Sequence, residues 1–145
     1  MKTSILLFLI LLFAFRTNAQ KTEVQYLSGQ DKDNTVQWDF FCTNGMNSGK
    51  WSKIAVPSNW ELQGFASPKY GTGDEGTGLY RTSFRIPSSL KKDQIFIRFD
   101  GVLYAYDVFV NGKYVGNWTS SFNAASFNIT EMVNFQGENN LAVRV

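Results

Sequence analysis

Histidine is absent from this chain of 145 residues, and cysteine occurs once, as Cys42. Without histidine there is no Ser-His-Asp triad and no Cys-His pair, and a lone thiol cannot build a zinc cluster, so nucleophilic and zinc-dependent hydrolysis of those kinds are excluded. One cysteine closes no intrachain disulfide, which leaves burial to stabilise the fold. Helical periodicity, internal repeats and low-complexity tracts are missing too. An excess of one charge is nearly absent: 14 Lys and Arg stand against 12 Asp and Glu. That balance argues against nucleic acid or an anionic membrane as a partner. Only carboxylates remain for acid–base work.

The one long apolar run lies at the start. Lys2 gives a positive first segment, residues 5–15 form an apolar core too short to span a bilayer, and Thr17-Asn18-Ala19 places small residues where a signal peptidase cuts. The expectation is a signal peptide over residues 1–19 and a mature chain 20–145 that is periplasmic or secreted. Gln20 rather than cysteine follows the cut, so no lipid anchor is expected. Cleavage removes Lys2 and Arg16, which brings the 14 basic residues down to 12 and cancels the 12 acidic ones.

What is present alternates with a period of two. Residues 95–115 organise the chain: Ile95, Ile97 and Phe99 share one face, and Phe96, Arg98 and Asp100 the other, as a half-buried strand requires. Asn111-Gly112 supplies the two positive-φ residues of a type I′ hairpin turn. Counting back from it pairs Val110 with Lys113, Phe109 with Tyr114 and Val108 with Val115, the aromatic and the Val–Val pair each contributing ~0.2–1 kcal/mol over alanines. Further strands are expected over 36–41, 51–56 and 79–86, the last two stopped by Pro57 and Pro87. Ser58 is expected to cap a short turn with Glu61 three residues on, and Thr130 to cap one through residues 131–133. After the turn at 137–140, Leu141, Val143 and Val145 form the apolar face of a final strand. A chain that stops on such a strand reads as cut from something longer. Short strands at turn-punctuated spacing indicate an all-β sandwich in one domain.

Few constellations carry chemistry. Gly71-Thr72-Gly73-Asp74-Glu75-Gly76 fits G-x-G-x-x-G, but a strand follows it instead of a helix, and Asp74 and Glu75 repel phosphate, so no dinucleotide is expected. A glycosidase needs two carboxyl groups facing each other across a sugar at ~5–9.5 Å. Sequence neighbours in one loop do not supply that, and Asp74 and Glu75 are read as solvated or, at best, calcium-coordinating. No catalytic residue, metal ligand or cofactor is expected. Among Trp51, Trp60, Tyr70, Tyr80 and Trp118, which are suited to stacking on sugars, most are expected in the core, with Tyr70 and Trp118 exposed on loops. Asn117-Trp118-Thr119 and Asn128-Ile129-Thr130 fit the glycosylation sequon, which has meaning only in a eukaryotic secretory pathway.

A set of motifs runs in order from about Trp51 to the end. They are Val56-Pro57-Ser58-Asn59-Trp60-Glu61-Leu62-Gln63-Gly64, Gly78-Leu79-Tyr80-Arg81 with Phe84-Arg85-Ile86-Pro87, Phe99-Asp100-Gly101-Val102, Val110-Asn111-Gly112 with Val115-Gly116, Phe127-Asn128-Ile129-Thr130, and Gly137-Glu138-Asn139-Asn140-Leu141-Ala142-Val143. Together they resemble the N-terminal sugar-binding domain of glycoside hydrolase family 2, the family of β-galactosidases, β-glucuronidases and β-mannosidases. The resemblance implies a jelly-roll sandwich, galactose-binding-domain-like, with carbohydrate as partner. It also implies missing C-terminal partners, an immunoglobulin-like sandwich and a TIM barrel that carries both catalytic glutamates, so this chain alone is expected to be inactive. In β-galactosidases the loop after Pro-x-Tyr carries an asparagine that contacts galactose. Here Pro68-Lys69-Tyr70 matches, and Thr72 stands near the asparagine position. The family's Glu-Phe-Asp segment, whose aspartate helps hold sugar and sodium, is Ser126-Phe127-Asn128. Tyr70, Thr72, Asp74 and Asn128 are therefore the candidate substrate-binding residues. Two readings stand: the leading part of an exported, β-galactosidase-like glycosidase, or a stand-alone carbohydrate-binding or interaction module.

Overall fold

The computed structural model describes residues 21–67 and 76–145. Eight strands occur among them: β1 (Val36–Cys42), β2 (Ser52–Val56), β3 (Gly78–Phe84), β4 (Phe96–Phe99), β5 (Tyr106–Val110), β6 (Lys113–Trp118), β7 (Ala125–Asn128) and β8 (Asn139–Arg144). Six form one antiparallel sheet in the order β2-β1-β3-β8-β5-β6, and β4 pairs with β7 in a second. Alternation decides which face is buried. Trp38, Phe40 and Cys42 of β1, Tyr106, Val108 and Val110 of β5, and Leu141 and Val143 of β8 point inward, where Ile97 of β4 and Ala125 of β7 join the same core. The ring of Phe99 on β4 lies 5.0 Å from that of Tyr106, and Phe127 on β7 lies 6.4 Å from it, so the two sheets are stitched through aromatics. Each fully buried large side chain contributes ~1.5–3 kcal/mol. The molecule is an all-β sandwich, as its strand pattern leads one to expect, and it agrees with the jelly-roll sandwich that the family resemblance implies.

Phe40 anchors the other half of the core. It is wholly buried, and the rings of Phe65, Tyr80 and Trp60 surround it at 4.6, 4.7 and 5.8 Å. Trp60 and Tyr80 thus pack on the core as expected. Trp51 does not. It is half exposed on the outer face of the large sheet, beside Phe41 at 5.6 Å and under the guanidinium of Arg81 at 4.3 Å. Being one position before β2, it escapes the inward alternation that buries Ile54.

The central hairpin forms with one change of register. Asn111 and Gly112 have φ of 51° and 76°, as a type I′ turn demands. Val110 faces Lys113 and Phe109 faces Tyr114, but Val108 faces Gly116 and not Val115, because a bulge intervenes. Its physical reason lies across the sandwich: a Cβ on residue 116 would sit 2.9 Å from a ring carbon of Phe127, so the extra residue delivers glycine to the one place without room. The expected Val–Val pair is lost, while the aromatic pair stands, with ring centres 5.5 Å apart.

Both expected caps are replaced by other bonds. The turn at Trp60–Gln63 is a single 3-10 turn with Asn59 at its N-cap, where no side-chain bond forms, and the Ser58 hydroxyl donates back to the Ala55 carbonyl. Two positions before so short a turn, serine reaches β2 more easily than the helical N–H groups. Thr130 accepts from the Ile95 N–H at 2.9 Å and donates to Asn128 Oδ1 at 2.7 Å, tying the end of β7 to the start of β4.

Asn139 is the one fully buried polar side chain among the described residues. Its Oδ1 accepts from Asn111 Nδ2 at 2.8 Å and from the Asn134 N–H at 2.6 Å, and its Nδ2 donates to the Asn134 carbonyl at 2.9 Å. Asn111 adds a donation to the Met132 carbonyl at 2.8 Å and accepts from the Asn140 N–H at 2.9 Å. The hairpin turn, the start of β8 and the loop before it are thereby locked together at one end of the sandwich.

Candidate functional site

The opposite end of the same strands is open. Register places Asp107 of β5 opposite Arg144 of β8 on one side and Asn117 of β6 on the other. Because Tyr106 and Val108 point inward, Asp107 points out, and three polar side chains from adjacent strands line up. Arg144 Nε and one terminal nitrogen both donate to Asp107 Oδ2, at 2.9 and 2.6 Å. Asp107 Oδ1, the other terminal nitrogen of Arg144 and the Asn117 carboxamide have no hydrogen-bond partner among the described residues. They line a cleft of about 180 Å³, together with Trp118, Thr119, Ala105, Thr77 and Val145. Trp118, the last residue of β6 and not a loop residue, is 37% exposed, and its register opposite Tyr106 puts it on the other face of the sheet from Asp107 and Asn117.

Tyr106 closes the inner side of the cleft. Its hydroxyl is buried with no hydrogen-bond partner among the described residues, and burial pushes its phenol above the ordinary value, so it stays a proton donor at neutral pH. Tyr104, two residues earlier, adopts φ of 66°, a conformation that bulky residues avoid, and its N–H donates to Ser121 Oγ at 2.7 Å. That bond joins the two loops entering and leaving the cleft, whose Tyr104 and Phe122 stand 76% and 92% exposed.

Of the expected substrate contacts, Tyr70, Thr72 and Asp74 lie outside the described residues, as does Glu75. Thr77, just after that loop, lines the cleft. Asn128 is elsewhere. Its Oδ1 accepts from the Thr130 N–H at 3.0 Å and from the Thr130 hydroxyl, an Asx turn that leads through Ile129 and Met132 to Asn111, at the locked end. The remaining carboxylates on strands are paired with cations: Asp39 with Lys53 at 2.6 Å and Arg81 at 3.4 Å, and Asp107 with Arg144. No group of three His, Cys, Asp or Glu suited to a metal occurs among the described residues. The trio Asp107, Asn117 and Arg144 was not singled out from sequence as a site. Register alone identifies it, and the bulge at Val108/Phe109 decides which β6 residue faces Asp107.

Residues 37–145 match the family model described as "Glycosyl hydrolases family 2, sugar binding domain". The chain belongs to this family. It is 35% identical over 114 residues to a β-galactosidase of Priestia megaterium, covering 66% of this chain and 11% of that protein, and 37% identical over 119 residues to a β-galactosidase of Vibrio vulnificus, covering 72% and 11%. A calcium-binding mutant of Bacteroides uniformis β-glucuronidase 2 is similar in structure, with a TM-score of 0.62 and 30% identity over 83% of this chain and 14% of that one. A β-D-mannosidase from Dictyoglomus thermophilum shares the fold, with a TM-score of 0.67 at 23% identity over 86% of this chain and 16% of that one. The family 2 chain in hand thus spans about a tenth of the length of the curated relatives it matches. None of its described helices is long and apolar enough to cross a membrane.

Proposed function

We propose that this chain is the non-catalytic leading domain of an exported, β-galactosidase-like family 2 glycosidase, forming scaffold and pocket wall while domains beyond it cleave the O-glycosidic bond. The observation that carries this reading is the match of residues 37–145 to the sugar-binding domain of the family. The chemistry agrees. Hydrolysis requires an acid and a nucleophile or base opposed across the bond, whereas the strand carboxylates Asp39 and Asp107 are each engaged by a cation. Residues 1–19 are the signal peptide of this reading and residues 20–145 its sandwich. Tyr70, Thr72 and Asp74 are assigned to sugar contacts in this reading.

Two measurements test it. The purified chain should turn over no nitrophenyl galactoside, glucuronide or mannoside, and turnover that disappears when Asp74 and Glu75 are both changed to Ala would overturn the non-catalytic assignment. Protein recovered from the host's exterior or periplasm should begin at Gln20. An intact Met1 on such protein would sink the export claim.

A further inference from the structure

Asparagine stands directly before glycine at Asn44-Gly45 and at Asn111-Gly112, and the fold treats the two pairs in opposite ways. Such a pair is open to loss of the asparagine amide, because glycine has no Cβ to keep its own nitrogen away from the carboxamide carbon. The reaction requires the carboxamide to turn towards that nitrogen. At Asn111 it is held fast: Nδ2 donates to the Met132 carbonyl and to Asn139 Oδ1, both at 2.8 Å, and Oδ1 accepts from the Asn140 N–H at 2.9 Å. At Asn44 the residue is exposed, and neither its carboxamide nor the Gly45 N–H has a hydrogen-bond partner among the described residues. The main chain around Asn44 is held all the same. Its carbonyl accepts from the Cys42 thiol at 3.0 Å, the Thr43 N–H donates to the Thr77 carbonyl at 3.0 Å, and the Thr77 N–H donates to the Thr43 hydroxyl at 2.8 Å.

We propose that Asn44 is a site of spontaneous deamidation and that the asparagine network protects Asn111 from it. The Gly45 nitrogen gives up its proton and bonds to Asn44 Cγ, the Cγ–Nδ2 bond breaks, and ammonia leaves with a proton in place of the one given up. No oxidant or cofactor takes part. Water then opens the cyclic imide at one carbonyl or the other, leaving aspartate or isoaspartate. Both products add a negative charge beside Gly76, and isoaspartate also routes the main chain through its Cβ. Little room exists for that longer path: a Cβ on Gly45 would lie 2.6 Å from the Phe65 carbonyl oxygen, and one on Gly76 would lie 3.1 Å from the Asn44 carbonyl oxygen. Isoaspartate at position 44 therefore loosens the junction where β1 ends and β3 begins.

The test incubates the full chain at mildly alkaline pH, folded and in urea, and follows both pairs by peptide mass mapping. In the folded protein Asn44 should convert at least about tenfold faster than Asn111, whose bonds must break first. In urea, where only the sequence acts, the two should convert at similar rates. Asn44→Gln should remove the conversion at that position in both states. Equal rates in the folded protein, or an Asn44 that stays intact while the unfolded chain converts, would overturn the proposal. So would the same preference for Asn44 in urea, because protection of Asn111 would then owe nothing to the fold. The isoaspartate fraction, separated by ion exchange, should unfold at a lower urea concentration than the unmodified protein, and an identical midpoint would overturn the loosening assigned to it.

Discussion

Replacing Asn139 with Ala tests how the sandwich is held at its closed end. The side chain is fully buried and makes three hydrogen bonds at 2.6 to 2.9 Å. Asn111 Nδ2 keeps a second acceptor, the Met132 carbonyl, so losing Asn139 costs that group little. The Asn134 N–H and carbonyl fare worse, since Asn139 is their partner at 2.6 and 2.9 Å. A buried group left unsatisfied costs ~1–3 kcal/mol, and the exposed side of the Asn134 loop admits water that recovers part of it. The sum is roughly 2–4 kcal/mol, a large fraction of the ~5–15 kcal/mol typical of a domain.

Urea unfolding followed by tryptophan fluorescence reads this directly. With a slope of ~1–3 kcal/mol per molar urea, the midpoint should fall by about 1–2 M. Asn139→Leu separates the causes. It fills the space but restores no hydrogen bond, so it should be about as unstable as Asn139→Ala. A leucine variant that recovers the lost stability would show that volume and not bonding is at stake. An unchanged midpoint for Asn139→Ala would refute the argument outright.

Three further outcomes follow from the same geometry. Gly116→Ala brings a methyl group to 2.9 Å from the Phe127 ring and should cost ~1–3 kcal/mol by overpacking, checked by thermal unfolding; equal melting temperatures would contradict the reason given for the bulge. Gly112→Val places a β-branched residue at φ of 76° and should lower the urea midpoint by at least ~1 kcal/mol equivalent, although nothing lies within 4 Å of its Cβ, so an unchanged midpoint would reject the turn assignment. The carboxyl of Asp39 is held below its ordinary value first by the Lys53 hydrogen bond, with the Lys53 and Arg81 charges adding to it. A depressed folded-state value means a stabilisation present above the unfolded-state value of 3.8 and lost as pH falls through the lower folded one, so Asp39→Asn should flatten the acid limb of the stability curve below about pH 4.

Much of the fold was legible in residues. The alternation at 95–99, the Asn111-Gly112 turn and the Leu141/Val143 face each needed only a period of two and turn chemistry, and all stand. What escaped was anything decided across the sandwich. The bulge depends on Phe127 lying over Gly116, a contact between β7 and β6 that no local pattern announces. Asn139 looked like a turn residue because Gly137-Glu138-Asn139-Asn140 is turn-rich, yet it is the first residue of β8 and the most buried asparagine described. Trp51 was misplaced for a related reason: a large aromatic at a strand end has either layer or solvent open to it, and composition cannot choose; Trp118 is exposed as expected, but at the end of β6 and not on a loop. The site was harder still. Asp107, Asn117 and Arg144 are far apart in sequence, and only the register of three strands makes them neighbours.

The two ends of β5 are built on opposite principles, and that contrast bears on function. At the Val110 end the asparagine network leaves the buried Asn139 side chain with every polar atom bonded, which fixes the hairpin against β8 and allows little motion. At the Tyr106 end polar atoms are left over in a cleft, and the backbone beside them holds Tyr104 at positive φ. Spare hydrogen-bonding groups confer no stability where they are, and a bulky residue in a left-handed conformation costs ~1–3 kcal/mol. Such features persist where the rest of the fold supports them. Rigidity at one end therefore supports a costly arrangement at the other, and the strands between them transmit position without having to move.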